Sequence, residues 1–301
     1  MSQRFPPLQR LSDEETELSA FEKLVPDEIW EMLAQVVNEN LVKGAQGSSR
    51  KKDTSSSELK RWFGIWLQVE NTWGNDSKEI RDHFLSVKSE CGGCKGLGAD
   101  RFTYLLNAIQ PSVAELTKTA DLLSKAAQSV VEDVHLLTLD ETVIGYQPTK
   151  AAKERAEERG EPIPVVYIPR KPHPNGLEVM TVATFVYDPT KRKEVPFVVM
   201  LHPHLASGDN ILGEVVAKVF GELDQKWGSH PHWVFDAGFG SEKTVQMIMS
   251  KGGIVTCSVP SHQISGLWDA LECELPTERW RAAGHAGLVA SCHVGMEKTR
   301  G

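Results

Sequence analysis

Two aspartates, Asp140 and Asp236, each close a short apolar run: residues 134–139 (VHLLTL) lead into Asp140-Glu141, and residues 232–235 (HWVF) lead into Asp236. At the carboxyl end of a strand in an open α/β sheet, a side chain points into the crevice where ligands bind. If the two runs are neighbouring parallel strands, the carboxylates converge. Such a pair suits Mg²⁺ or Mn²⁺, hard ions that take oxygen ligands at about 2.0–2.1 Å and keep several waters. Two ions about 3.5–4 Å apart can stabilise both the attacking and the leaving oxygen of an in-line phosphodiester displacement. The structural alternative is a turn role, because Asp commonly begins turns after strands and caps the helix that follows. Asp236, which precedes AGFGSEK, has that form.

Other constellations carry less chemistry. Cys91-Gly-Gly-Cys94, with His83 nearby, has the spacing of half a zinc site, but no second pair follows at a suitable interval, so it reads as a loop. His202 and His204, and His230 and His232, flank prolines and read as histidines at strand ends. Ser207-Gly-Asp-Asn210 reads as a helix cap. The basic groups Arg50-Lys51-Lys52 with Lys60-Arg61, Arg170-Lys171 and Lys191-Arg192-Lys193 read as solvated faces. A Walker loop, a dinucleotide fingerprint and a serine nucleophile elbow are all missing, so a nucleotide cofactor and acyl transfer have no support.

The elements that must position the two acids are an α/β core behind a helical region. Apolar residues recur at helical spacing over 24–41, 100–109 and 113–134. Ser55 and Glu58 predict a capping box ahead of a face formed by Leu59, Trp62, Phe63, Trp66 and Leu67, whose aromatics read as core. From residue 134 the pattern changes. Runs at 134–139, 177–187 and 195–201 predict three strands, the last two parted by the turn Asp188-Pro-Thr-Lys191. A helix over 210–227, a strand at 232–235, a helix over 242–250, a Gly252-Gly253 stop and a strand at 254–259 complete a β-β-β-α-β-α-β order. Three antiparallel strands followed by βαβ alternation predict a mixed sheet with helices on its faces. The domain organisation expected is an acidic disordered leader (1–20), a mainly α-helical N-terminal region (21–133), the α/β core (134–260, with a charged, solvent-exposed excursion at 149–161) and an incomplete C-terminal or insertion segment (261–301).

The 301 residues are 40% hydrophobic and 25% charged, an ordinary globular composition large enough for a real core. No window has the apolar length of a membrane span, and MSQRFPPLQR lacks the apolar centre of a secretion signal. Five scattered cysteines do not form a disulfide framework. The net charge of −8 disfavours a phosphate-rich partner at first sight. Most of the excess acid, however, lies in the first 47 residues, around Asp13, Glu14, Glu15 and Glu17.

The words around these residues resemble the piggyBac transposase family, of the DDE, RNase H-like superfamily. LTLDET (137–142) is similar to its first catalytic-aspartate motif, and FDAGFGSEKTVQMIMSKGG (235–253) to its second. VVYIPRKPHPNGLEV (165–179) resembles its Tyr-Met-Pro-x-Lys-Pro-x-x-x-Gly stretch through Tyr167, Pro169, Lys171, Pro172 and Gly176. SSELKRWFGIW (56–66) and DRFTYLLNAI (100–109) resemble its Glu-Leu-x-x-Phe-x-Gly and Arg-Phe helices. The likeness covers roughly residues 20–260.

By that resemblance, Asp140 and Asp236 are the first two members of a metal-binding acidic triad, with Mg²⁺ or Mn²⁺ as cofactor. The reaction would be DNA strand cleavage and transfer, with water or a DNA 3′-hydroxyl as nucleophile. Arg170 and Lys171 would lie where DNA phosphates approach. The implied partner is DNA, either transposon ends or host DNA, the implied compartment is the nucleus, and a homodimer is a further expectation. No stretch beyond Val259 matches the third-aspartate motif, although Asp269, Glu272 and Glu274 are acids nearby. Ala237 stands where the family has Asn, Pro174 and Glu178 replace basic residues, and no cysteine-rich zinc module is found. The sequence is therefore expected to stop before its third acidic ligand and to be inactive or feeble by itself. The alternative is a catalytically inactive DNA-binding or interaction protein that keeps the transposase fold.

Overall fold

The computed structural model describes residues 17–42, 52–73, 97–145, 150–158, 160, 165–167, 169, 175–188, 192–204, 211–227, 231–236, 238–240, 242–257, 280–281 and 289–290. The chain divides into two compact units, Met1–Ile211 and Leu212–Gly301.

The first unit opens with helices α1 (Glu17–Leu24), α2 (Asp27–Val42), α3 (Ser56–Trp73), α4 (Ala99–Ala108) and α5 (Val113–Ser129). Helix α1 starts inside the stretch read as a leader, because Phe21 and Val25 pack on a core that α2, α3 and α4 build from Trp30, Val37, Leu59, Trp62, Ile65, Phe102 and Leu105. Trp62, Phe63 and Trp66 of α3 join this core: Trp62 lies tilted beside Phe102 with ring centroids 5.7 Å apart, and its indole N–H donates to the Phe102 carbonyl at 3.1 Å. Ile65 takes the buried position and Leu67 faces outward, 43% exposed. The buried stripe is thus Leu59, Trp62 and Ile65, a spacing of three that turns away from Leu67.

Only half of the expected capping box forms. The Glu58 amide donates to Ser55 Oγ at 3.3 Å, but the Glu58 carboxylate turns to Thr54 Oγ1 at 2.7 Å and to Arg101 of α4. Arg101 grips it with Nε at 3.0 Å and Nη2 at 2.7 Å, a two-point pair that ties α3 to α4. Both residues fall in segments carrying the family likeness, and the Arg101 hydrogen bond holds the Glu58 carboxyl below its ordinary pKa of 4.5. A depressed folded-state pKa contributes stability that is present above the unfolded value and is lost as pH falls through the folded one. Glu58→Gln is accordingly expected to lower stability by about 1 kcal/mol at pH 7, the partial exposure of the pair discounting it. The difference from wild type should close as urea melts are repeated below pH 4.5; a gap unchanged in acid would remove the ion pair as its cause.

Helix α5 carries the full capping box that α3 lacks, Ser112 with Glu115, and stops at Ser129 rather than 134. It lies on the sheet through small buried residues, Ala120, Ser124, Ala126 and Ala127, which allow close approach. Strand β1 (Leu136–Gly145) follows, then helix α6 (Lys150–Glu158) in the charged excursion, strand β2 (Val166–Tyr167), strand β3 (Asn175–Asp188) and strand β4 (Lys193–His204). β1 and β4 flank β3, both antiparallel to it, as the three-run pattern predicts. In β4 the register slips between the pairs Val182–Met200 and Ala183–Val198, so Val199 is a bulge residue. Gln128 of α5 donates to the Val199 carbonyl at 3.2 Å, and the Leu201 amide donates to Ser124 Oγ at 2.9 Å. Helix α5 thereby satisfies backbone groups that β4 leaves unpaired. His202 and His204 lie within β4, not beyond its end, because the pairing with β3 runs through Glu178–His204.

The second unit carries helix α7 (Ile211–Trp227), strand β5 (His232–Phe235), helix α8 (Glu242–Ser250), strand β6 (Ile254–Cys257) and a small antiparallel pair, β7 (Trp280–Arg281) with β8 (Val289–Ala290). Helix α7 enters the second unit one residue after its own start. β5 and β6 pair in parallel, the connection between them being α8. The Gly252-Gly253 stop has a defined form: Gly252 takes φ +83 and the Gly253 amide donates to the Ile248 carbonyl at 3.1 Å, closing the last turn of α8. His232 is a strand residue whose Nε2 meets Thr256 Oγ1 across the pair at 2.7 Å.

Candidate active site

Asp140 is positioned by alternation along β1. Leu137, Leu139 and Glu141 are buried, so Leu136, Thr138, Asp140 and Thr142 project from the other face, and there Asp140 is exposed. The apolar run stops at Asp140 but the strand does not. Five further residues stay paired with β3 down to Gly145 opposite Gly176. Asp140 therefore stands in mid-strand on an open sheet face, which corrects its expected place at the strand's tip. The β-branched residues after it, Thr142, Val143 and Ile144, keep the ladder running.

The side chain is held locally: Asp140 Oδ1 accepts from the Glu141 amide at 2.9 Å. Its cross-strand neighbour is Thr181, whose hydroxyl donates to the Thr142 hydroxyl at 3.4 Å. Asp140 thus shares its face with two hydroxyls that the sequence reasoning did not single out. The signal was available for Thr142, two residues on in a strand, but not for Thr181, which needs the register of β3.

Asp236 is the first residue after β5, exposed, between the buried Phe235 and Phe239. Its Oδ1 accepts from the Gly238 amide at 2.9 Å and its carbonyl accepts from the Phe239 amide at 3.3 Å. The turn role is therefore real, and it fixes one carboxylate oxygen. A β-carbon on residue 238 would come within 3.2 Å of that oxygen, so glycine there is what allows the close wrap. Phe239, 1% exposed, anchors the turn.

Asp140 belongs to the first unit and Asp236 to the second. Among the described residues no group of three or more His, Cys, Asp and Glu side chains is placed to hold a metal ion. Arg170, Lys171, Asp269, Glu272, Glu274, Ala237, Cys91, Cys94, His83 and His230 lie outside the described residues. No described helix is long and apolar enough to cross a membrane.

No protein-family model matches the sequence, and no curated protein matches it. Among solved structures the chain is similar to a piggyBac transposase, seen by cryo-EM in a synaptic complex with hairpin DNA. The TM-score is 0.63 at 17% identity, over 86% of this chain and 54% of that one. The chain thus spans about half the length of the transposase chain it matches. At that identity the likeness is one of fold, a piggyBac-like mixed α/β architecture.

Proposed function

We propose that this chain carries the core of a piggyBac-like DDE transposase, or of a protein derived from one, and that its chemistry is metal-dependent cleavage and transfer of DNA strands. The observation that carries the reading is the fold likeness to a piggyBac transposase over 86% of the chain. On this reading β1, β3, β4, β5 and β6 are the strands of an RNase H-like sheet. The antiparallel trio and the parallel β5–β6 pair support it. So does the exposure of both acids.

Asp140 and Asp236 are hard oxygen donors, each with one carboxylate oxygen already steadied by a backbone amide. That donor type fits Mg²⁺ or Mn²⁺. When bound, such an ion offsets charge on the phosphoryl oxygens and acidifies a water. Asp140 and Asp236 are the residues that would hold such an ion, and the Thr142 and Thr181 hydroxyls on the face of Asp140 would offer hydrogen bonds to water there. Arg170 and Lys171 contact DNA phosphates. DNA is the partner, as transposon ends or host DNA, the protein works as a homodimer, and the nucleus is its compartment.

The commitment of Asp236 to a turn favours a second reading, a DNA-binding protein of the same fold without cleavage. Mn²⁺ binding by calorimetry, with nicking of supercoiled DNA in Mn²⁺ or Mg²⁺, separates the two. The first reading expects Mn²⁺ uptake that Asp236→Asn weakens, and, once a third acidic ligand is supplied, nicking that a chelator stops. DNA binding with no Mn²⁺ uptake and no nicking would establish the second, and a chain that does neither would sink both.

A further inference from the structure

The face of β1, β3 and β4 that carries Asp140 is apolar on the side of Asp188. Ala183 pairs with Val198, Phe185 with Pro196 and Tyr187 with Glu194. Alternation along β3 puts these pairs on the face of Thr181, the cross-strand partner of Asp140. Leu136, two residues before Thr138 on β1, extends the same surface. Tyr187 is 37% and Val198 42% exposed, and Pro196 between their rows is exposed too. The opposite face of β3 is closed, with Val182, Thr184 and Val186 buried. Single exposed apolar side chains are ordinary on a protein surface, whereas a contiguous patch marks a surface that a partner covers.

The charged residues that the three strands present on this face are Asp140 and Glu194, both acidic and both exposed. Such a surface repels phosphates, since nucleic acid is held through Lys and Arg. A second copy meeting it face to face would bring the same acidic face, with no cation to offset it. Addition of a strand at the edge of β4 is hindered as well. Pro196 has no amide proton, and α5 already bonds backbone groups of Val199 and Leu201. What remains is a segment laid on the face itself. From β1 to β4 the face is about 10 Å wide, the diameter of a helix, and from Ala183 to Tyr187 it runs about 13 Å, the length of about nine helical residues.

We infer that this face docks an amphipathic, basic helix of a partner protein. Its apolar stripe lies on Phe185, Tyr187, Pro196 and Val198, and its Lys or Arg meets Glu194. The next residue pair on the face is Thr181 with Asp140, so the bound helix borders the candidate metal acid. The docking goes beyond the transposase reading and does not depend on metal uptake.

The test is fluorescence anisotropy of two labelled synthetic helices with the full chain. One has leucines at i, i+3, i+4 and i+7 and lysines elsewhere, and the other has glutamate in place of lysine. The lysine peptide should bind saturably, and the glutamate peptide at least about tenfold more weakly at about 0.1 M salt. Tyr187→Thr and Val198→Thr keep strand propensity and should each weaken the lysine peptide by about three- to tenfold. Both should melt near wild type, because both side chains are exposed. Glu194→Gln should weaken it by about two- to threefold, an effect that about 1 M salt removes. Leu67→Ser, at an exposed leucine of α3, should bind like wild type. Full affinity for the lysine peptide in both threonine variants would overturn the docking face, and equal affinity for the two peptides would overturn its basic occupant. If the threonine variants weaken duplex DNA binding, or dissociate a homodimer, while peptide binding is unchanged, the face belongs to DNA or to a second copy and the inference falls.

Discussion

In a protein that carries all three acidic ligands, Asp140→Ala is expected to reduce Mn²⁺- or Mg²⁺-dependent nicking by about 10³-fold or more while leaving the melting temperature near wild type. The size follows from removing a charged ligand that holds a catalytic ion, worth several kcal/mol, at a factor of ten per about 1.4 kcal/mol. The intact fold follows from position. Asp140 is exposed, and among the described residues its side chain bonds only the amide of its own neighbour. Substitutions of that kind stay within about 0.5 kcal/mol in stability. The adjacent Glu141 supplies the control, because it is 7% exposed and faces the buried side of the strand. Glu141→Ala should weaken folding and leave Mn²⁺ affinity in the folded fraction unchanged. Equal nicking by Asp140→Ala and wild type would take Asp140 out of the mechanism.

Gly176→Ala is expected to be the most damaging single methyl group in the first unit. Gly176 pairs with Gly145 of β1 and with Val166 of β2, so strands run along both of its sides. A β-carbon there would lie 2.1 Å from the Ile144 carbonyl oxygen and 2.8 Å from both the carbonyl carbon of Ile144 and Cγ1 of Val143. Backbone cannot swing aside as a flexible side chain can, so the β1–β3 register must open. Forced overpacking of this kind costs about 3 kcal/mol or more. In a unit of this size that lowers the melting temperature by about 6–12 °C. A melting temperature within a degree of wild type would mean that β1 and β3 do not pair as described. Gly176 is also the glycine of the Tyr-to-Gly stretch that carries the family likeness, and the sheet supplies the physical reason for it: it is a question of space, since φ is not positive there.

Several elements were legible from local pattern because their causes are local. β5 and α8 have the limits that alternation, helical spacing and the Gly252-Gly253 stop predict. Trp62 was legible as core for the same reason, a helical stripe of large apolar side chains. Less could be read where a strand carries a polar face. β1 loses its apolar run at Asp140 because Asp140 and Thr142 both point to the open side, yet its backbone remains paired with β3. The two-residue β2 has no pattern of its own and is defined by its pairing with Asn175 and Gly176 of β3. β4 itself was legible at 195–201 from its β-branched run, but its bulge, which buries Val199 and Met200 in succession, is set by the register with β3 and was not.

The sequence by itself determined which residues could do the chemistry and the order of the elements that bear them. Side-chain type and short-range periodicity are properties of neighbouring residues, and folding does not alter them. Only the tertiary structure decided that Asp140 lies in mid-strand beside Thr142 and Thr181, that Glu58 leaves its own helix cap for Arg101, 43 residues away, and that a β-carbon at 176 has nowhere to go. Each of these is set by which backbone comes to lie against which. That choice is made by the burial and pairing of segments distant in the chain, and no local spacing encodes it.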